Sequence, residues 1–157
     1  MPLVTVNASP PTEDGRQSDR ALRVRRGVQT LLFEAGLALV PEMTLANGRR
    51  ADLVGLTREG AIWIVEIKSS PADLRADRKW PDYRDFCDRF FFATLPDVPQ
   101  ALFPAQCGFI RADAHGAEIL VEAPEHRLAA ARRKAMTLRF ARFAAERLLA
   151  AEWMMTG

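Results

Sequence analysis

The stretch RADLVGLTREGAIWIVEIKSS, residues 50–70, decides the fold, because it contains two apolar strands joined by a tight turn. In the second strand, the alternation of side chains leaves both faces apolar. Such a pattern is typical of a central strand that is covered on both sides of a sheet. Yet the same stretch carries Asp52, Glu66 and Lys68 inside or beside its strands. Placing an unpaired carboxylate in such an interior costs several kcal/mol, so these charges need a partner or a use.

The turn residues 57–60 (TREG) determine which residues face each other across the hairpin. A two-residue loop would place Asp52 opposite Val65, whereas a three-residue loop with a bulge at Gly60 places Asp52 directly across from Glu66. We predict the second register. Cross-strand neighbours have Cβ atoms roughly 4.5–5.5 Å apart. Two carboxylates at that distance can share one hard cation but do not both remain ionised easily without it.

The residues around this pair predict a magnesium or manganese site that acts on phosphodiesters. Mg²⁺ is usually held by one or two carboxylates together with water and substrate phosphate, and the backbone carbonyl of Ile67 is a further candidate ligand beside Asp52 and Glu66. A bound cation can neutralise a phosphate oxygen and lower the pKa of a bound water. Lys68 can then contact the water or the phosphate as a compact positive charge. The alternative is a structural ion pair in which Glu66 and Lys68 neutralise each other.

Asp52, followed fourteen residues later by Glu66-Ile67-Lys68 at the end of an apolar strand, resembles the PD-(D/E)XK nuclease superfamily. More narrowly, the stretches RRADLVGL, WIVEIKSS and DRKWPDYRDFCDRFFFA, with the final Arg/Ala-rich helix, resemble the MmcB family of bacterial DNA-repair-associated proteins. The resemblance implies DNA cleavage with Mg²⁺ on Asp52 and Glu66, with Lys68 assisting the nucleophile. It also implies that Glu34, an acid in the preceding helix, positions water or a second ion. Ala51 stands where the superfamily motif has proline.

The 157 residues fit one α/β domain with a restriction-endonuclease-like core, in which a mixed β-sheet is flanked by helices. Residues 1–17 lack an apolar period and predict a flexible N-terminal arm, and residues 18–157 form the single nuclease-like domain. A first helix is expected to begin at Ser18 or Asp19. The whole pattern predicts the order α, β, β, β, α, β, β, β, α, and the last element is one long helix from about residue 125 to residue 152.

Positive charge is concentrated near the C-terminus, where residues 127–147 hold seven Lys or Arg against one acid. We expect DNA contacts from this helix and from the segment after the hairpin. The competing interpretation is that the arginines form the wet side of an amphipathic helix and that the aromatic residues pack a short helix onto the sheet. The aspartates at 77, 82, 85 and 88 are interpreted as solvated charges or caps. The predicted nucleic-acid ligands are Lys79, Tyr83, Arg132, Arg133 and Arg139.

Several function classes are excluded or left open by the sequence. No basic and apolar leader and no apolar run of about 20 residues is present, which predicts a cytoplasmic protein without a membrane segment. Cys87 and Cys107 are expected to be reduced core thiols. The expected partner is DNA, with single-stranded and branched forms both open, along with other repair proteins and a homodimer. A non-catalytic DNA-binding or adaptor module and an RNA nuclease are the alternative functions.

Overall fold

The computed structural model describes residues 11–156. A six-stranded sheet is flanked by one helix on one face and by three helices on the other. The elements are α1 (Pro11–Glu34), β1 (Ala38–Thr44), β2 (Arg50–Leu56), β3 (Ile62–Ile67), α2 (Pro71–Ala76), α3 (Trp80–Arg84), β4 (Arg89–Thr94), β5 (Gly108–Ala112), β6 (Ala117–Val121) and α4 (Ala130–Thr156), with a 3₁₀ turn at Gln100–Leu102.

The strands lie side by side in the order in which they occur in the chain. β1, β2 and β3 are antiparallel neighbours, β3, β4 and β5 run parallel, and β6 returns antiparallel to β5. The two parallel steps need crossovers, and the segment with α2 and α3 provides the first. The predicted fold class, a mixed sheet flanked by helices with a long C-terminal helix, is therefore confirmed.

The hairpin turn has the predicted three-residue geometry. The N–H of Thr57 donates to the carbonyl of Ala61, and Gly60 has a φ of 90° that suits glycine. Leu53 consequently pairs with Val65. This confirms the register that we predicted from the bulge, and it carries β3 into the centre of the sheet between β2 and β4.

Two apolar clusters hold the helices against the two faces of the sheet. Val24, Val28 and Leu32 of α1 pack on one face against Leu53 and side chains of β3 to β5. On the other face, α3 and α4 cover a second cluster. Its buried members from these helices are Tyr83, Met136 and Phe140. β3 contributes buried side chains to both faces, as expected for a central strand.

Several predicted boundaries need correction. α1 begins at Pro11 rather than at Ser18 or Asp19, because proline fits the first turn of a helix, where its missing N–H is not needed. Residues 11–17 of the predicted arm are therefore helical, and residues 1–10 of that prediction lie outside the described part of the chain. The sequence also predicts a short helix after the hairpin, over about residues 77–87. The structure has a shorter helix there, α3 (Trp80–Arg84), and a further helix, α2 (Pro71–Ala76), before it. None of the described helices is long and apolar enough to cross a membrane.

Candidate active site

Asp52 lies where β2 separates from β3 and where its pairing with β1 is interrupted at one residue. On the β1 side, the regular pairing skips Asp52, and the residue that would face it, Glu42, has a left-handed backbone with a φ of 55°. On the β3 side, the paired residues extend as far as Leu53 and Val65. The backbone and the side chain of Asp52 are therefore free to make contacts that an ordinary strand residue does not make.

Carboxylate groups replace the missing backbone contacts at this end of the hairpin. The N–H of Asp52 donates to Glu66 Oε1 at 2.9 Å, and the N–H of Ile67 donates to Asp52 Oδ2 at 2.7 Å. Each acid therefore accepts a hydrogen bond from the backbone beside the other. The predicted register thus brings the two acids together at the end of β3.

Burial makes this pair of acids reluctant to carry two negative charges. It raises the pKa of Asp52, although the N–H of Ile67 and the charge of Lys68 oppose the rise. The pKa of Glu66, which is only 5% exposed, is raised well above its usual range by burial and by the charge of Asp52. Both shifts disfavour the charged form of each acid, and a cation close to both groups would oppose them.

The ammonium group of Lys68 binds Asp77 rather than Glu66. Lys68 Nζ lies 2.8 Å from Asp77 Oδ2, and the two side chains are 11% and 6% exposed. Burial alone would lower the pKa of Lys68, but the hydrogen bond and charge of Asp77 outweigh it and raise this pKa. The alternative in which Glu66 and Lys68 form a self-contained ion pair is therefore wrong.

The residues at this position suit a hard divalent cation of the magnesium type. Asp52 is half-buried and Glu66 is buried, and among the described residues neither forms a salt bridge, since Lys68 pairs with Asp77. Oxygen is the donor that Mg²⁺ and Mn²⁺ prefer. Within residues 11–156, no three Asp, Glu, His or Cys side chains form a set that could hold a metal. A cation held by Asp52 and Glu66 would thus need water, substrate or a backbone carbonyl such as that of Ile67 as further ligands.

Glu34 does not lie near these acids, which corrects the expectation for this residue. It is the last residue of α1, and the following Gly36 lies beside Arg58 of the hairpin turn. The opposite part of α1 reaches the acids, because Arg20 donates to the carbonyl of Ser69. Fourteen helical residues separate Arg20 from Glu34, a distance of about 21 Å along the axis.

Two of the predicted DNA ligands are engaged by protein partners instead. Tyr83 is only 7% exposed, its ring stacks on Phe90, and its hydroxyl donates to the carbonyl of Arg50. Arg133 donates two hydrogen bonds to the buried carboxylate of Asp88, at 2.7 and 2.6 Å. Both side chains are held by protein partners, so the prediction that they contact DNA is wrong.

The other predicted DNA ligands are exposed. The backbone N–H of Lys79 donates to Asp77, and its side chain faces solvent. Arg132 lies over the ring of Phe86 at 4.8 Å. Arg139 donates to the carbonyl of Thr44 at 3.3 Å. These three positions are available to an anionic ligand, and the DNA contact itself stays a prediction.

A comparison with known proteins identifies the family. The family model described as DNA repair protein MmcB-like matches residues 8–155. The chain belongs to this family. The solved structure of SPO1766, a protein of unknown function from Silicibacter pomeroyi, is 45% identical and superposes with a TM-score of 0.82 over 85% of this chain and 91% of that one.

A second solved structure, a repair endonuclease from Pyrococcus abyssi, is 16% identical and has a TM-score of 0.34 over 50% of this chain and 40% of that one. That likeness is too distant to bear on fold or function. None of the curated proteins matches the sequence. Membership of the MmcB-like family thus rests on the family match over residues 8–155.

The ion pair between Asp77 and Lys68 was not predicted from the sequence, which indicated only that Asp77 is a solvated charge or a helix cap. The structure shows that it is a cap. Its carboxylate accepts hydrogen bonds from the N–H groups of Lys79 and Trp80, which begins α3. The sequence does contain a signal for the preceding helix, α2. Ser70 caps α2 through the N–H of Asp73, and the S-P-A-D sequence is a helix-start pattern. Recognising α2 would have shown that the chain turns back beside Lys68.

Proposed function

We propose that this member of the MmcB-like DNA repair family hydrolyses phosphodiester bonds of DNA, with Mg²⁺ or Mn²⁺ held by Asp52 and Glu66. The observation that carries the proposal is the placement of two acids at the end of β3, where Glu66 accepts from the N–H of Asp52 and Asp52 accepts from the N–H of Ile67. The pKa values of both acids are raised. Perturbed acids of this kind are concentrated at functional sites, since a purely structural role is served better by a saturated carboxylate. The bound ion would neutralise a phosphate oxygen and lower the pKa of a water molecule.

Lys68 has the role of a fixed positive charge beside the reacting phosphate. Its ammonium group stays protonated at neutral pH because Asp77 raises its pKa. Asp77 also orients the amine, since one of its oxygens lies 2.8 Å from Lys68 Nζ while the other accepts backbone N–H groups of α3. A lysine held in this way can stabilise negative charge that develops on phosphate, at little reorganisation cost.

The rival function is a non-catalytic DNA-binding or adaptor module that keeps the nuclease-like fold. The hydrogen bonds from the N–H groups of Asp52 and Ile67 favour it, since they give each acid a structural task at the end of the hairpin. Lys68 is likewise engaged by Asp77. In that function, the exposed side chains of Lys79, Arg132 and Arg139 would bind DNA, and the two acids would only shape the strand ends.

A cleavage assay separates the two functions. Labelled single-stranded, duplex, flap and four-way-junction DNA, with a matched RNA strand, are incubated with the protein in Mg²⁺, Mn²⁺ or EDTA. We expect metal-dependent cutting that is lost in Glu66→Gln, Asp52→Asn and Lys68→Met, while DNA affinity in EDTA is kept. Glu59→Gln, at the exposed hairpin turn, is the control for removal of one carboxylate.

DNA binding by the wild-type protein without cutting in any metal would support the adaptor function instead. Cutting of RNA alone would replace the proposed substrate. Size-exclusion chromatography of the same preparations, with and without DNA, tests the homodimer that the sequence left open. Other repair proteins as partners also remain part of the proposal, for which membership of the family is the support.

A further inference from the structure

The middle of α1 forms one wall of a cleft beside Asp52. The cleft has a volume of about 380 Å³. Asp52 and Ile67 line it from the sheet, and Arg25 lines it from α1. The other lining residues are Ala21, Leu22 and Glu42. A ligand in this space would therefore touch α1 and the candidate metal ligand Asp52 at the same time.

A pair of contacts from Arg20 fixes this part of α1 over the ends of the strands. Arg20 Nε donates to the carbonyl of Ser69 at 3.0 Å, directly after Lys68 in the chain. Its Nη2 donates to Asp97 at 2.8 Å. These contacts, together with the buried side chain of Val24, set the position of α1 against the sheet. Arg25 is thus presented to the cleft from a packed helix, and not from a loose surface segment.

Arg25 has a buried polar atom that lacks a protein partner. Its Nε atom is buried and, among residues 11–156, has no hydrogen-bond acceptor. The ion pairs formed by the same part of the chain also do not include Arg25. Arg20, five residues earlier, has a carboxylate partner in Asp97. The Nε atoms of Arg84 and Arg111 are unpaired in the same way, so the buried Nε alone does not indicate a ligand. What distinguishes Arg25 is that a guanidinium charge without a carboxylate partner, among the described residues, lines a cleft that an anion can enter.

The chemistry of the cleft selects a phosphate group as that anion. Guanidinium groups bind phosphate through paired N–H donors, and the apolar side chains of Ala21 and Leu22 offer a surface for a sugar. Glu42 and Asp52 also line the cleft and would repel any anion, so a phosphate there depends on the positive charge of Arg25, and a cation held by Asp52 would favour it further. A nucleic-acid strand that crosses the acid pair would place one phosphate at the metal site and a neighbouring one at Arg25.

We propose that this cleft binds a phosphate of a nucleic-acid strand and that Arg25 is its ligand. The inference rests on the proposed function for the identity of the strand. It does not require cleavage, because the same contact would serve the adaptor function. Arg25 is a binding residue for the strand and takes no part in the reaction itself.

Binding in EDTA tests this inference separately from cleavage. The probes are fluorescein-labelled single-stranded and duplex oligonucleotides, followed by fluorescence anisotropy over a series of salt concentrations. We expect Arg25→Gln to weaken binding of the single strand about tenfold, the scale of one charge-assisted contact. The slope of log affinity against log salt should fall in magnitude by about 0.7, as expected for one phosphate contact to a single strand.

Arg26→Gln is the matched control, because Arg26 is the next residue of α1 and is exposed. Arg25→Lys keeps the charge without the paired donors, and we expect a severalfold loss of affinity with an unchanged salt slope. Thermal melting of each variant checks folding, and the lysine variant carries the test if the glutamine variant does not fold. Inorganic phosphate is added as a competitor to distinguish a strand phosphate from a free anion.

Each outcome has a distinct meaning. Equal binding by Arg25→Gln and wild type, or equal losses in the variants at 25 and 26, would overturn the inference about Arg25 alone. Displacement of the strand by inorganic phosphate at low concentration would overturn its assignment to a strand. Arg25-dependent binding without cutting in any metal would overturn the proposed hydrolysis and leave the phosphate contact in place.

Discussion

A buried carboxylate lies at each end of β3, and the two differ in how fully hydrogen bonds and positive charge neutralise them. At the start of the strand, Asp88 is 1% exposed and accepts hydrogen bonds from the N–H groups of Ile62 and Leu128 and from both Nη atoms of Arg133. At the end of the strand, Glu66 accepts one backbone hydrogen bond and lies beside a second acid, Asp52. The same sheet therefore saturates one carboxylate and leaves the other under-neutralised.

The difference is visible in the direction of the pKa shifts. Burial would raise the pKa of Asp88, but the hydrogen bonds from Arg133, Ile62 and Leu128 lower it to about 2. For Glu66, burial and the neighbouring acid raise the pKa together. A carboxylate that only stabilises a fold is given cations and donors, as at Asp88. A pair that retains unbalanced charge is suited to binding a cation that comes from solution.

The largest expected effect is at the saturated end. Asp88→Ala removes the buried acceptor of the half-buried Arg133 guanidinium and of two backbone N–H groups, so we expect the free energy of unfolding to fall by about 3 kcal/mol. Urea denaturation at neutral pH measures the change. Asp85→Ala, an exposed residue of the same segment, is the control and should change stability by under about 0.5 kcal/mol. Similar losses in both variants would show that Asp88 is not a structural anchor.

The same contact predicts an acid dependence. Because the folded pKa of Asp88 lies below the ordinary value of 3.8, its contribution is present above that value and is lost as the pH falls through about 2. A shift of this size corresponds to about 2 kcal/mol. Urea midpoints measured between neutral pH and acid should decline more steeply in the wild-type protein than in Asp88→Asn. If the urea midpoints of the two proteins declined in parallel, the lowered pKa of Asp88 would be contradicted.

An intermediate effect is expected for the ion pair next to the acids. Asp77→Asn should lower the free energy of unfolding by about 1–2 kcal/mol, the scale of one charge-assisted hydrogen bond. It should also lower the pKa of Lys68, because burial is then no longer outweighed by Asp77. NMR of protein with ¹³C-methylated lysines measures that pKa directly. An unchanged Lys68 pKa would show that Asp77 does not control the amine, whatever happens to cleavage.

How much of this could be predicted from sequence depends on the range of each contact. The register that joins Asp52 to Glu66 was predictable, because a local turn with Gly60 fixes it. Glu34 was misplaced because an acid in the preceding helix satisfies the resemblance whichever end of that helix meets the acids of the sheet. The pairing of Arg133 with Asp88 joins residues 45 positions apart, and no local pattern reports it.

A smaller shift is expected from cation binding at the under-neutralised end. If Mg²⁺ binds only the folded protein, a concentration ten times its Kd stabilises that state by about 1.4 kcal/mol. For a domain of this size, Tm should rise by roughly 3–6 °C. Glu66→Gln should abolish the rise, whereas Glu59→Gln at the exposed turn should keep it. A rise that persists in Glu66→Gln would place the ion elsewhere on the protein.

The smallest predicted effect has an unusual sign. In EDTA, Glu66→Gln should raise the free energy of unfolding at neutral pH by about 1 kcal/mol, because glutamine keeps an oxygen for the N–H of Asp52 and removes a buried charge. Since the folded pKa of Glu66 is raised, the wild-type protein loses stability as the pH rises from the ordinary glutamate value through the folded one. The glutamine variant should lack that decline, and urea midpoints across this pH range measure it. A Gln variant that is less stable than wild type at neutral pH would mean that Glu66 is balanced in the free protein, and the contrast with Asp88 would then disappear.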